Sequence, residues 1–159
     1  ELLIEFGLTG LDEAERDRLN RVWHQLKPWP DAVAGLERLR TRFVVATLSN
    51  GNVALLTNMA KYAGLPWDCI LSAELMRHYK PDPECYLGAA EFLGLEPSEV
   101  MMVAAHKGDL KAAGAVGLKT AFVPRPRENG PGRAVDTEPE DAFDLNCSDF
   151  EDLAAKLGL

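Results

Sequence analysis

The sequence contains no long hydrophobic run and few cysteines. None of its apolar stretches approaches the roughly 20 residues of a membrane-spanning helix. Its first residues, 1–6 (ELLIEF), lack the basic start and the long apolar stretch of a secretory signal. The three cysteines, Cys69, Cys85 and Cys147, do not have the spacing of a metal site, which favours reduced, buried thiols. These absences predict a cytoplasmic protein without a membrane partner.

Basic residues are also scarce, since 17 Lys and Arg face 25 Asp and Glu and give a formal net charge of -8. This balance disfavours nucleic acid as a partner and leaves a small anionic substrate open, because local fields decide such binding. The 159 residues are enough for one domain with a real core. Because the chain opens on Glu1 within an apolar pattern, we expect a fragment or a chain whose beginning is missing.

Two glycine motifs of α/β proteins are absent from the sequence. There is no G-x-G-x-x-G turn after a first strand, which argues against a dinucleotide-binding domain. There is no G-x-S-x-G elbow either, which argues against a Ser-His-Asp hydrolase.

The chain does contain short apolar runs that alternate with helical patterns, and this alternation predicts an α/β fold: a Rossmann-like parallel sheet with flanking helices. Apolar residues at consecutive positions of 43–48 and 100–104 predict that both faces of those strands are covered. The other predicted strands are 69–71, 121–123 and 143–146, and 124–142 is predicted to be a surface loop. The predicted helices are 11–27, one capped by Asp31, 52–63, a short one from Ser72, 83–93 capped by Asp82, 108–116 and a last one with a Ser148/Glu151 capping box.

Polar residues stand at the ends of several predicted strands. Residues 47–52 (TLSNGN) place Ser49 and Asn50 where a buried strand meets a helix, an edge at which open parallel sheets bind ligands and helix amino ends attract anions. Lys80 and Asp109 follow other strands. Each has a plain structural alternative, because Ser and Asn cap helices, lysines are usually exposed and acids favour a first helical turn. Their joint placement at one sheet edge favours a binding site.

Three segments in this order and spacing resemble the haloacid dehalogenase superfamily, most closely its type II 2-haloacid dehalogenases. They are 46–51 (ATLSNG), 79–86 (YKPDPECY) and 103–110 (VAAHKGDL), and the run 117–126 also fits. The resemblance implies a hydrolase in which an aspartate attacks the substrate carbon, displaces halide and forms an ester that water then cleaves.

The resemblance also implies roles for individual residues. Lys80 matches the cation that keeps the attacking carboxylate ionised. Ser49 and Asn50 match the donors that bind the substrate carboxylate. Asp109 matches the group that orients or activates water. The remaining substrate-binding candidates are Tyr86 and His106, the latter as a hydrogen-bond donor or proton carrier where the family has asparagine.

The family's nucleophile lies in an Asp-rich motif on a first strand that has no counterpart here. The resemblance therefore divides the chain into residues 1–28, the later part of a helical cap, and 29–159, an α/β core without its first strand. That strand would lie between 43–48 and 100–104, so these two should carry unpaired backbone groups. We expect the chain by itself to be inactive and to be marginal in stability, rearranged or self-associating.

Three functional hypotheses stay open. A metal-independent 2-haloacid dehalogenase needs no cofactor. A magnesium phosphatase of the superfamily usually has a second acid four positions before the last one, where this chain has Ala105 ahead of Asp109. The third hypothesis is a non-catalytic fragment or binding module. A homodimer is one option for the oligomeric state, which the sequence leaves open.

Overall fold

The fold comes from a computed structural model that describes residues 2–130 and 132–159. The described residues form eight α-helices and five short strands. The helices are α1 Leu2–Glu5, α2 Glu13–Arg21, α3 Ala32–Arg40, α4 Val53–Ala63, α5 Ala73–Met76, α6 Pro83–Leu93, α7 Lys107–Ala115 and α8 Phe150–Lys156, with 3₁₀ turns at Val22–Gln25 and Pro97–Glu99. The strands are β1 Ala46–Ser49, β2 Cys69–Ser72, β3 Met101–Ala104, β4 Lys119–Phe122 and β5 Leu145–Asn146. None of these helices is both long enough and apolar enough to cross a membrane.

All strand pairs are parallel, as the alternation of strands and helices predicted, but they form two sheets. One sheet pairs β1 with β2, in the register Ala46 opposite Cys69. The other has the order β3-β4-β5, with Met101 opposite Lys119. Over the described residues β1 and β3 each pair with one strand only, which agrees with the predicted interruption between them.

Two apolar clusters cover the two faces of the sheet β3-β4-β5 and also receive residues from β1 and the segment before it. The first cluster surrounds Tyr86 and Phe122 and receives Leu48 of β1 and Met102 of β3. The second joins α3 and α8 to the opposite faces of the strands; its buried members are Leu36, Leu39, Ala121, Val123, Cys147, Leu153 and Ala154, and Val45, Met101 and Val103 pack against it. The prediction of cover on both faces is therefore confirmed for β3, whereas Phe43 and Val44 at the start of the predicted strand 43–48 are exposed.

Where helix signals are local, the predicted boundaries agree with the structure. Asn52 caps α4 by accepting a hydrogen bond from Leu55 N–H at 2.8 Å, and Gly64 ends it in the left-handed region at φ 67°. Ser72 caps α5 through a bond from Glu74 N–H, and no helix or strand forms between 124 and 142 in the described part of that loop.

Four local predictions were wrong. The helix predicted over 11–27 ends at Arg21 and continues as a 3₁₀ turn, and the apolar residues of its pattern, such as Trp23, are exposed. Asp31 and Asp82 stand at helix starts, but neither side chain makes a capping bond. The last helix is capped by Asp149 rather than by the predicted Ser148/Glu151 box.

Candidate active site

The clearest polar contact at the strand ends joins Lys80, Asp109 and Tyr86. Lys80 lies in the loop before α6, and its Nζ is 2.5 Å from Asp109 Oδ2 in the first turn of α7. Tyr86 of α6 donates its hydroxyl to the other carboxylate oxygen, Oδ1, at 2.6 Å. The Lys80 and Asp109 side chains are 16% and 15% exposed and Tyr86 is fully buried, so this network is shielded but open on one side.

Burial is the main cause that raises the pKa of the Tyr86 phenol well above its usual range, and the hydrogen bond to Asp109 adds to it. Tyr86 therefore stays a neutral donor at any physiological pH. Its hydroxyl and the Lys80 ammonium hold the two oxygens of Asp109 in a fixed orientation.

Asn50 ties the end of β1 to the loop that carries Lys80. Its side-chain oxygen accepts the Lys80 N–H at 2.7 Å, and its Nδ2 donates to the Lys80 carbonyl at 3.1 Å. This two-point link brackets the Lys80 backbone, so Asn50 fixes where the Lys80 side chain starts. One of the two Nδ2 hydrogens is thereby used, which leaves a single side-chain donor for a ligand.

Ser49 lies beside this link on a tight turn. Its hydroxyl oxygen accepts the Gly51 N–H at 3.0 Å, which leaves the hydroxyl proton available for donation. Gly51 is closely surrounded, since a Cβ there would lie 3.4 Å from Ser49 Oγ and 3.3 Å from a methyl of Leu55. The Gly51 carbonyl accepts the Ser72 hydroxyl at 2.7 Å, which joins the ends of β1 and β2.

His106 is paired with an acid outside this network. Its side chain is 67% exposed, and its Nε2 lies 2.6 Å from Glu128 Oε1, in the long loop after β4. The structure thus connects Asn50, Lys80, Tyr86 and Asp109 through hydrogen bonds. Ser49 adjoins Asn50 in the chain, and His106 is exposed and paired with Glu128.

Comparison with known proteins identifies the family of this chain. A family model described as a haloacid dehalogenase-like hydrolase matches residues 2–117. The chain belongs to this family. The resemblance drawn from the three sequence segments is therefore confirmed.

Several relatives of this haloacid dehalogenase-like chain are named dehalogenases. (S)-2-haloacid dehalogenase 4A of Burkholderia cepacia is 39% identical over 113 residues, which are 69% of this chain and 49% of that protein. The solved structure of L-2-haloacid dehalogenase PA0810 is 53% identical, with a TM-score of 0.94, and the match covers 98% of this chain and 68% of that one. The L-2-haloacid dehalogenase of Xanthobacter autotrophicus, solved with chloropropionic acid covalently bound, is 27% identical with a TM-score of 0.81 and covers 98% and 72%. The chain spans about half the length of the sequence relatives, 49% and 57% for the first two.

The haloacid dehalogenase-like site does not offer the donor set that magnesium prefers. Both oxygens of Asp109 are engaged, one by a cation and one by a hydroxyl. Ala105, four positions earlier, has no ligand atom. Magnesium needs several oxygen ligands in near-octahedral geometry, so these residues do not fit it.

One group of metal-type ligands does come together among the residues that the structure describes. His78, Asp82 and Glu84 place one ligand atom each within 4.8 Å of one another, but all three are exposed and lie outside the Lys80 network. Exposed acidic groups of this kind are common without an ion, so we assign no metal to them.

Sequence reasoning missed two acids that contact the site loops. Glu74 accepts the Val53 N–H at 2.9 Å and so occupies one of the free donors at the start of α4, and Glu128 pairs with His106. Neither stands at a spacing that indicates its role. Both contacts depend on loops that the fold brings together, 21 and 22 residues apart in the chain.

Proposed function

We propose that the protein containing this chain hydrolyses the carbon–halogen bond of a small 2-haloacid. The observation that carries the proposal is the network in which Asp109 is held by Lys80 and Tyr86 beside the interruption between β1 and β3. A partly shielded ammonium at this place suits chemistry in which a carboxylate must stay ionised next to an anionic substrate.

In the proposed reaction a carboxylate oxygen attacks C2 of the haloacid, and the C–halogen bond breaks as halide leaves with its electron pair. Water then adds to the carbonyl carbon of the resulting ester, which releases the 2-hydroxy acid and regenerates the carboxylate. The attacking group comes from the resemblance and is not assigned to any of the 159 residues. We therefore propose the activity for a longer polypeptide and expect none from this chain alone.

The described residues have distinct proposed roles in these steps. Lys80 stabilises the attacking carboxylate and shares its charge with Asp109. Ser49 contributes its free hydroxyl proton to the substrate carboxylate, and Asn50 contributes its remaining amide hydrogen. Asp109 orients the hydrolytic water, and Tyr86 keeps Asp109 in place.

We also propose two structural parts, residues 1–28 as a piece of a helical cap and 29–159 as the core. The support is burial: α2 and the following 3₁₀ turn contain no buried residue, whereas α3 buries Ala32, Gly35, Leu36 and Leu39. His106, at the rim, would meet substrate only during entry.

The test is product release by the longest natural polypeptide that contains residues 1–159. We expect halide from 2-chloropropionate without added magnesium, and loss of most of that release in Lys80→Met. Lys119→Met is the matched control, because Lys119 is 54% exposed and pairs with Asp144 at 3.7 Å, outside the Lys80 network. Magnesium-dependent release of phosphate from a small phosphate ester, without halide release, would instead support the phosphatase hypothesis.

A further inference from the structure

The connector between the two proposed parts is held at one point on the core. Residues 26–31 link the exposed α2 and its 3₁₀ turn to α3, and Pro28 and Pro30 restrict the backbone of this connector. Neither α2 nor the turn buries a residue, and the segment meets the core where its 3₁₀ turn packs along α4. Its orientation therefore depends on that contact and on the contacts of the connector.

Asp31, at the end of the connector, forms a two-point ion pair with Arg125. The distances are 2.7 Å from Nη1 to Oδ1 and 2.9 Å from Nη2 to Oδ2. The two side chains are only 14% and 12% exposed, so solvent screens this pair much less than a surface pair. Asp31 Oδ2 also accepts the N–H of Phe150 at 2.9 Å, which adds the start of α8 to the same point.

Aromatic rings enclose the Arg125 guanidinium. Its central carbon lies 5.4 Å from the ring centroid of Trp29, within the connector, and 5.1 Å from that of Phe150. Stacking of a guanidinium on aromatic rings is attractive and depends on its planar shape. The connector is thus bound twice, by the Asp31 carboxylate and by the Trp29 ring, to one side chain of the core.

Asp31 stands in a helix-capping position, but its side chain does not cap the helix. It stands at the start of α3, where an aspartate ordinarily accepts a hydrogen bond from its own helix, and it makes no such bond. Although burial opposes ionisation, the bonds from Arg125 and Phe150 keep the pKa of Asp31 below its usual value. The side chain serves the contact with the core instead of the helix end.

We propose that the clamp formed by Asp31, Arg125, Trp29 and Phe150 is the anchor that fixes the helical segment 13–25 against the core, which makes Arg125 a positioning residue. This inference rests on the division into two parts proposed above. A second contact of the segment, His24 Nδ1 at 2.8 Å from Asn58 Nδ2, reaches α4, the helix that starts next to Ser49 and Asn50. The segment therefore contacts the helix that follows the loop of Ser49 and Asn50.

The test is ¹⁵N relaxation of the longest natural polypeptide that contains residues 1–159, measured without substrate, so that its outcome stays separate from the assay of activity. In the parent chain we expect amides of α2 and of β4 to report one rotational correlation time. Arg125→Lys keeps the charge but loses the two-point pairing and the stacking. In this variant we expect a shorter correlation time for the amides of α2 and an unchanged one for those of β4. Arg40→Lys is the matched control. Arg40 lies on α3 and, like Arg125, pairs with an aspartate, Asp68, at 2.6 Å, but this variant should leave the common correlation time intact.

A second variant covers the case in which Arg125→Lys does not fold. Trp29→Leu removes one of the two stacked rings while the ion pair remains, and Trp29 is already 38% exposed. We expect the same loss of a common correlation time, to a smaller degree. If α2 and β4 keep one value in every variant that folds, the contact with α4 alone orients the segment and the proposal is wrong. If the correlation times of α2 and β4 change together, the Asp31–Arg125 pair supports overall stability only, and the proposal is wrong as well.

Discussion

Replacing Gly35 by alanine should destabilise the protein, although alanine is the better helix former. Gly35 lies in α3 against the first residue of α8, Phe150. A Cβ built on Gly35 would lie 2.4 Å from Phe150 Cβ, 2.7 Å from its carbonyl carbon and 3.0 Å from its carbonyl oxygen. Two of these atoms are backbone and the third is fixed to it, so no change of rotamer removes the overlap.

The magnitude follows from two opposed terms. Carbon atoms pack at about 3.5–4.0 Å, so α8 would have to move by about 1 Å from α3. Such overpacking typically costs about 1–3 kcal/mol, and the exchange of glycine for alanine inside a helix returns about 1 kcal/mol. Because α8 also carries the buried Leu153 and Ala154, the movement disturbs the second apolar cluster. The two terms leave a net loss of about 0–2 kcal/mol, and the disturbance of the cluster places it in the upper half of that range.

The assay is the urea midpoint, followed by far-ultraviolet circular dichroism, of Gly35→Ala beside Gly114→Ala. Gly114 is also helical, in α7, and a Cβ there meets only a methyl of Thr120 at 3.6 Å, an ordinary contact. Gly114→Ala should raise the midpoint and Gly35→Ala should lower it. A Gly35→Ala midpoint at or above that of the parent chain would show that α3 and α8 separate freely, and the packing argument would fail.

Three further predictions concern stability. Arg77 has φ 56° at the end of α5, so Arg77→Gly should stabilise the chain by about 0.5–1 kcal/mol, and an unchanged thermal midpoint would contradict this. The pKa of Asp31 is lower in the folded chain than in the unfolded one. The contribution of Asp31 to the free energy of unfolding is therefore complete above the unfolded pKa of about 4 and is lost as pH falls through the folded pKa. Asp31→Asn should cost stability at pH 7 and progressively less in acid. Unpaired backbone groups at β1 and β3 cost about 1–3 kcal/mol each against a typical total of about 5–15 kcal/mol, so the chain should melt broadly or self-associate. A sharp melt of a dilute monomer would refute the last of these.

The helix α4 shows which structural features the sequence predicts well. Its cap, Asn52, and its terminating glycine, Gly64, act within four residues of the helix ends, and the predicted range 52–63 differs by one residue from Val53–Ala63. The strands β1 and β3 could be located in the same way, because their apolar composition is also a local signal. Their ends differ from the predicted ones by up to three residues because pairing partners, which are distant in the chain, decide where a strand begins.

The helix starts at Asp31 and Asp82 show where such reasoning fails. Both residues have the ordinary capping position, yet a partner outside the local pattern competes for each carboxylate. Asp31 binds Arg125, 94 residues away, and Asp82 approaches His78 Nδ1 at 3.5 Å. The apolar pattern of 11–27 failed in another way: periodicity predicts a buried face, but the described residues, chiefly α4, cover that face only in part.

The candidate site was predictable as a meeting of loops but not as a network. The order of strands and helices indicates that Asn50, Lys80 and Asp109 share one sheet edge. It does not indicate that Asn50 binds the backbone of Lys80, since that bond depends on the conformation of both loops. Nor does it indicate that Tyr86, assigned to substrate, reaches Asp109 instead.

The residues proposed for chemistry also connect the two sheets, and this affects how any loss of activity is interpreted. No strand bond joins β1 to β3 within the described residues, whereas the bonds Asn50–Lys80–Asp109 run from the end of one sheet to the end of the other. A Lys80 variant therefore removes a charge and a connection together. Asn50→Ala breaks the connection and keeps the charge, and because it also removes a donor proposed for the substrate carboxylate, the rates are compared at saturating 2-chloropropionate. If halide release falls equally in Asn50→Ala and Lys80→Met, placement of the loop limits the reaction; if it falls much further in Lys80→Met, the ammonium itself stabilises the reacting carboxylate.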